Sequence, residues 1–252
     1  MLNKLSTINK KIDLILINIY ILILTIKMLR TRYLIFDVET TGLLPRAKKN
    51  GAAIAISDYP HILQLSFAIY DSSQKSVIQK YDSYVKIPDE IEISSIVQDI
   101  TGINREIIQE KGKPIQEVLE KFYEAYMFCH GLVAHNMEFD EKMILVELER
   151  NRDTIMAVAP YCFHTFNSTF ESVHGIQRFC TMKKGTDLCN IMVESKMPNG
   201  KPRKKWPKLN ELYQHLFPGQ KVEGFHNSMI DVLACLRCFV KMKFDYDDTK
   251  IL

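Results

Sequence analysis

Asp37 and Glu39 close an apolar run, Tyr33-Leu34-Ile35-Phe36, with only Val38 between them, and Thr40-Thr41-Gly42 then breaks the pattern. The run has strand character, and side chains alternate across a strand. Both carboxylates therefore emerge on one face, about 7 Å apart along the backbone. Two like charges at the end of a buried strand repel each other and lose solvation, so they call for compensating positive charge. A pair of divalent cations suits such hard oxygen donors. An ordinary strand end with two solvated acids fits the same spacing.

Two further groups add donors. Asn136 and Asp140 lie four apart at the opening of a helix that follows Gly131-Leu132-Val133-Ala134, a short buried strand. Open α/β sheets place their sites at such strand ends. An N-capping turn with Asp140 complementing the helix dipole is the plainer account. His226 precedes Asp231 by five residues at the entry of a late amphipathic helix. Histidine titrates near neutrality and can take a proton from water. A surface histidine ahead of a helix-opening acid would look the same.

The elements that must position these groups follow from periodicity. His61–Tyr70 and Val77–Ile87 read as strands joined by the polar turn Asp71–Lys75, so with the 33–39 strand they predict an antiparallel meander. Leu43–Tyr59, with Pro45, Gly51 and the basic Arg46, Lys48 and Lys49, reads as a long loop. Ile115, Val118, Leu119 and Phe122 recur at helical spacing from Pro114 onward. Phe139–Leu148, Leu209–Leu216 and Met229–Val240 read as helices, whereas residues 151–180 show little pattern.

Composition narrows the setting. The apolar content of 46% is enough for a sizeable core. Lys4, Lys10, Lys11 and Lys27 against Asp13 account for the whole net charge of +3, so the remaining chain is neutral and any nucleic-acid footprint is local. The six cysteines are scattered, which predicts a reducing compartment, cytoplasmic or nuclear, and not a secreted protein. Cys235 and Cys238 have ligand-like spacing but read as core positions of a helix. His164 and His174, near Cys162 and Cys180, do not make a convincing zinc site. Lys201, Arg203, Lys204, Lys205 and Lys208 flank Trp206; this fits a phosphate-tracking strip with a stacked base, a nuclear-localisation signal, or a solvated loop with Trp206 in the core.

Residues 14–26 form an Ile/Leu run of about thirteen residues, short of the ~20 that a membrane span needs. With Met28 read as the working start, residues 1–27 are an apolar extension outside the functional chain and 28–252 a single domain. Membrane attachment is not the expected reading.

In chain order, Phe36-Asp37-Val38-Glu39-Thr40-Thr41-Gly42, His135-Asn136-Met137-Glu138-Phe139-Asp140 and His226-Asn227-Ser228-Met229-Ile230-Asp231 make DxE, NxxxD and HxxxxD motifs. This arrangement resembles the DEDDh group of 3′→5′ exonucleases, which includes proofreading epsilon-subunit-like enzymes. The resemblance spans roughly residues 31–243 and takes in Pro60–Leu65 and Leu209–Tyr213. It implies a ribonuclease H-like α/β fold, a five-stranded mixed β-sheet with three antiparallel strands, flanked by α-helices. It implies two ions, Mg²⁺ or Mn²⁺, held by Asp37, Glu39, Asp231 and Asp140, and hydrolysis of DNA or RNA from the 3′ end to nucleoside 5′-monophosphates. His226 would be the general base.

On the same analogy Thr40, Thr41, Gly42, Leu43, Asn136 and Phe139 would contact substrate, although turn and core packing explain them equally well. The implied partners are single-stranded or 3′-terminal nucleic acid and, beyond it, a DNA polymerase. Oligomeric state stays open. The chain departs from simple relatives in its 43–59 loop and its 151–208 region, where Cys180-Thr181 and Thr186-Asp187 stand near an expected Asp-Thr pair. A non-catalytic nuclease-like module that binds nucleic acid or a polymerase is the alternative. Such a module has no need for all of Asp37, Glu39, Asp140, His226 and Asp231.

Overall fold

The computed structural model describes residues 31–47, 51–195 and 200–252. The apolar 14–26 run and the Met28 start lie outside the described residues. Strand β1 (Arg32–Thr40) pairs antiparallel with β2 (Ile62–Asp71), which pairs antiparallel with β3 (Ser76–Tyr84). On the other side of β1, β4 (Gly131–Ala134) and β5 (Gln177–Cys180) run parallel, giving the order β3-β2-β1-β4-β5. The expected five-stranded mixed sheet with an antiparallel meander is present.

One strand ends earlier than its pattern suggests. Pairing expected to Ile87 stops at Tyr84, because Lys86 N–H turns to Lys113 O (2.8 Å) and Val85 bridges Lys113 in parallel. Two short helices, α1 (Ser95–Thr101) and α2 (Arg105–Lys111), occupy the segment that follows. Their caps are Ser94 and Asn104, whose side chains accept from Val97 N–H and Ile107 N–H.

Alternation along β1 assigns each face its helices. Leu34, Phe36 and Val38 point to one side and pack under α3 (Ile115–Phe128) and α4 (Met137–Arg150). Tyr33 and Ile35 point to the other side and pack under α9 (Ser228–Phe244). Each such side chain, once fully buried, contributes ~1.5–3 kcal/mol. Cys235 and Cys238 are free, buried members of α9, as read from their helical spacing. The weakly patterned 151–180 region holds α5 (Arg152–Val158), a 3-10 turn (Pro160–His164), α6 (Ser168–His174) and β5. Beyond it come α7 (Thr181–Cys189), a two-stranded ribbon of β6 (Met192–Val193) and β7 (Arg203–Lys204), and α8 (Leu209–Leu216).

The long loop after β1 is fastened from α4. The Arg150 guanidinium donates to the carbonyls of Ile56, Tyr59 and Pro60 at 3.2, 2.8 and 3.0 Å and pairs with buried Glu147, which itself accepts from Ile62 N–H at 3.1 Å. No helix among the described residues is long and apolar enough to cross a membrane.

Candidate active site

The face assignment brings the acids together. Asp37 and Glu39 continue the Tyr33–Ile35 side of β1, and α9 crosses that side with Asp231 in its first turn. Asp140 comes from α4, on the other face. The parallel β4 partner leaves β1 after the Ile35–Val133 pair, and Val38 N–H then donates to Asp140 Oδ1 at 3.2 Å. A register shift between Glu39 and Thr40 ends the ladder with β2 beside the site.

Burial and mutual repulsion dominate the electrostatics. Desolvation pushes the Asp37 carboxyl up to about 7, opposed by the neighbouring Ser228 hydroxyl. Desolvation, then the charges of Asp37 and Asp231, push Glu39 to about 9. Asp231 rises to about 8 through desolvation and Asp37, and Asp140 rises well above the carboxylate range for the same two reasons. Asp37 Oδ2 and Asp231 Oδ1 are buried without a hydrogen-bond partner among the described residues. Orphaned carboxylate oxygens in an all-acid cluster fit the donor set of Mg²⁺ or Mn²⁺.

His226 completes the cluster. One ligand atom each from Glu39, His226 and Asp231 lie within 4.8 Å of one another. His226 is exposed and left-handed (φ 71°), and its N–H donates to Asp231 Oδ2 at 3.2 Å. A histidine in that region carries backbone strain, which the fold sustains at a site. Asn227 caps α9 through Ile230 N–H (3.3 Å), and Ser228 locks it to the sheet: its hydroxyl donates to Asp37 O (2.7 Å) and its N–H to Gln64 Oε1 (3.4 Å). Gln64 Nε2 and Ser66 Oγ both donate to Asp82 Oδ1, at 2.7 and 2.6 Å. This polar chain, buried at Gln64, Ser66 and Ser228 and reaching solvent at Asp82, ties α9 to all three antiparallel strands, and sequence reading missed it.

A cavity of about 660 Å³ opens over the carboxylates. Leu43, Asn136 and Phe139 line it, Leu43 almost fully exposed and Asn136 left-handed (φ 70°). Thr40 and Thr41 do not line it. Thr41 N–H donates to His61 O (2.9 Å), its hydroxyl accepts from His61 N–H (2.9 Å), and the Thr40 hydroxyl donates to Gly42 O (2.6 Å). An added Cβ on Gly42 would meet nothing within 4 Å, so the fold itself does not demand glycine there.

Trp206, Pro207, Lys208 and His135 also line the cavity. Burial lowers the His135 pKa to about 4, so the ring is neutral. Pro207 O can only accept, so His135 Nε2 carries the proton and donates to it at 3.0 Å, and Nδ1 accepts from the Thr181 hydroxyl at 3.0 Å. Trp206 is 58% exposed, which rules out the core placement that its sequence context allowed.

The profile of the RNase_T family, described as exonuclease, matches residues 34–239. Among curated proteins, DNA polymerase III PolC-type of Streptococcus sanguinis is 33% identical over 121 residues, 47% of this chain and 7% of that protein. The PolC-type protein of Lactococcus lactis is 30% identical over 128 residues, 50% of this chain and 7% of its own. The chain thus spans a small fraction of these relatives. Among solved structures, zinc-bound E. coli ExoI in complex with single-stranded DNA superposes with a TM-score of 0.58 at 20% identity, covering 86% of this chain and 42% of that one. A 3′-exonuclease that recognises the histone mRNA stem-loop gives 0.56 at 12% identity, covering 86% and 83%. These superpositions show a shared ribonuclease H-like fold. On the match over most of its length, the chain belongs to the RNase_T exonuclease family.

Proposed function

We propose that this protein is a metal-dependent 3′→5′ exonuclease that removes nucleoside 5′-monophosphates from a nucleic-acid 3′ end. The observation that carries the reading is the convergence of Asp37, Glu39, Asp140 and Asp231 on one cavity, with each carboxyl pushed upward and two buried oxygens unpartnered. These carboxylates would hold two Mg²⁺ or Mn²⁺ ions, which when bound supply Lewis-acid stabilisation of the phosphate and a more acidic attacking water.

The chain's own residues supply the rest. The His226 imidazole, exposed at the cavity beside Glu39 and Asp231, takes a proton from the attacking water. The water oxygen bonds to phosphorus, the bond to the O3′ of the shortened strand breaks, and that oxygen takes a proton from solvent in the open cavity and leaves as a hydroxyl. Ser228 and Gln64 keep Asp231 and Asp37 in register while this happens. Leu43 and Phe139 pack on the terminal nucleotide.

DNA is the substrate we favour and a replicative polymerase the partner, because the curated relatives are named DNA polymerase III PolC-type. A single strand labelled at its 5′ end, incubated with Mg²⁺, tests polarity. The reading predicts a ladder shortening progressively from full length, and immediate release of the label as a mononucleotide would overturn it.

A further inference from the structure

Resting on the nuclease reading of the cavity, we propose that Trp206 is a stacking platform for an unpaired nucleobase of the substrate strand. Trp206 is the sole tryptophan of the chain. It keeps 58% of its surface exposed, whereas Phe36, Tyr70 and Phe122 are fully buried. An indole left in water forfeits much of its apolar burial, and at this cavity it leaves a large π-face open to a ligand.

The backbone around this exposed ring is fixed on both sides. Ahead of it, Lys205 N–H donates to Ile191 O (2.8 Å), Lys205 Nζ pairs with Glu211 (2.5 Å) and Lys204 Nζ pairs with Asp187 (2.6 Å). Behind it, buried Pro207 accepts from His135 Nε2 at 3.0 Å. His135 directly precedes Asn136 at the end of β4, so this bond ties the Trp206 segment to the strand end that introduces Asp140. An anchored backbone with a free aromatic face lowers the entropic cost of stacking.

The occupant follows from the neighbours. Trp206 shares its cavity with Asp37, Glu39 and Asp231, which would act on a phosphodiester, and with the cation Lys208. A group adjacent to a phosphodiester and presenting a π-face is a nucleobase. Inside a duplex both faces of a base are already stacked, and only the outer face of the terminal pair is open. An unpaired end therefore offers more to the indole than a blunt duplex does, without sequence preference.

The single tryptophan makes the test direct. Intrinsic fluorescence of the full chain is followed while a single-stranded oligonucleotide is added, with Ca²⁺ in place of Mg²⁺ to keep the strand uncut. Saturable quenching is expected, absent with an oligonucleotide whose 3′-proximal residues are abasic. Trp206→Ala should raise KM about tenfold, with Trp206→Phe recovering most of the loss. An oligonucleotide that binds by anisotropy yet leaves the fluorescence unchanged, or equal quenching by the abasic strand, would overturn the proposal. Quenching without any hydrolysis under Mg²⁺ would instead refute the nuclease reading and leave the stacking site standing. Hydrolysis with a silent tryptophan would do the reverse.

Discussion

Val38 N–H donates to Asp140 Oδ1 at 3.2 Å across 102 residues, so the strand that presents Asp37 and Glu39 also holds the acid from the opposite face of the sheet. Asp140→Asn keeps an acceptor for that N–H and removes one charge from a self-repelling group. The metal-free protein should then melt higher at pH 8, by about 4 °C. Hydrolysis should fall by at least ~10²-fold. Differential scanning calorimetry in EDTA checks the first part, and a lower melting temperature would contradict the repulsion.

Metal removal should have a pH signature. Unfolded carboxyls release their protons near about pH 4, whereas Asp37, Asp231 and Glu39 in the fold hold theirs to about 7, 8 and 9. Between those limits the folded state binds more protons. The stability contribution of these groups is therefore fully present below about pH 4 and declines as pH rises through the folded values. On the proposed reading divalent ions replace the protons, so the rise in melting temperature caused by Mn²⁺ should be larger at pH 8.5 than at pH 6. Equal shifts at both pH values would count against the acids as ligands.

His226 sits within ligand distance of Glu39 and Asp231, so base and ligand roles must be separated. As the base, His226→Ala costs at least ~10²-fold in kcat and preserves the thermal shift produced by Mn²⁺. Loss of that shift would reassign the imidazole to the metal.

Gln64 is buried, accepts from Ser228 N–H and donates to Asp82. Gln64→Leu strands the buried Ser228 N–H, while exposed Asp82 keeps its bond from Ser66, and should cost ~1–3 kcal/mol in urea denaturation, together with a loss of kcat as α9 shifts. An unchanged denaturation midpoint would show that α9 does not depend on this chain of hydrogen bonds.

How much of this was legible in the sequence depends on whether the signal is local. Asp37 and Glu39 could be read because strand alternation alone fixes their shared face. The burial of Ile115, Val118, Leu119 and Phe122 follows directly from helical spacing. The helices α1 and α2 escaped, since seven residues span under two turns and only Ile108 is buried between them. The four residues of β5 escaped too, because they are half-exposed at the sheet edge and show no alternation. Trp206 and His135 could not be joined from sequence at all. Their link is a tertiary bond across 72 residues to the Pro207 carbonyl, which any residue type there would offer.

The central claim is that the carboxylate cluster hydrolyses phosphodiesters from a 3′ end. Mononucleotide release from a single-stranded oligonucleotide under Mg²⁺, compared between the unaltered chain and Asp37→Asn, tests it most directly. The account predicts nucleoside 5′-monophosphates from the first and a loss of at least ~10²-fold in the second. No product from the unaltered chain, or product that survives Asp37→Asn, would contradict it.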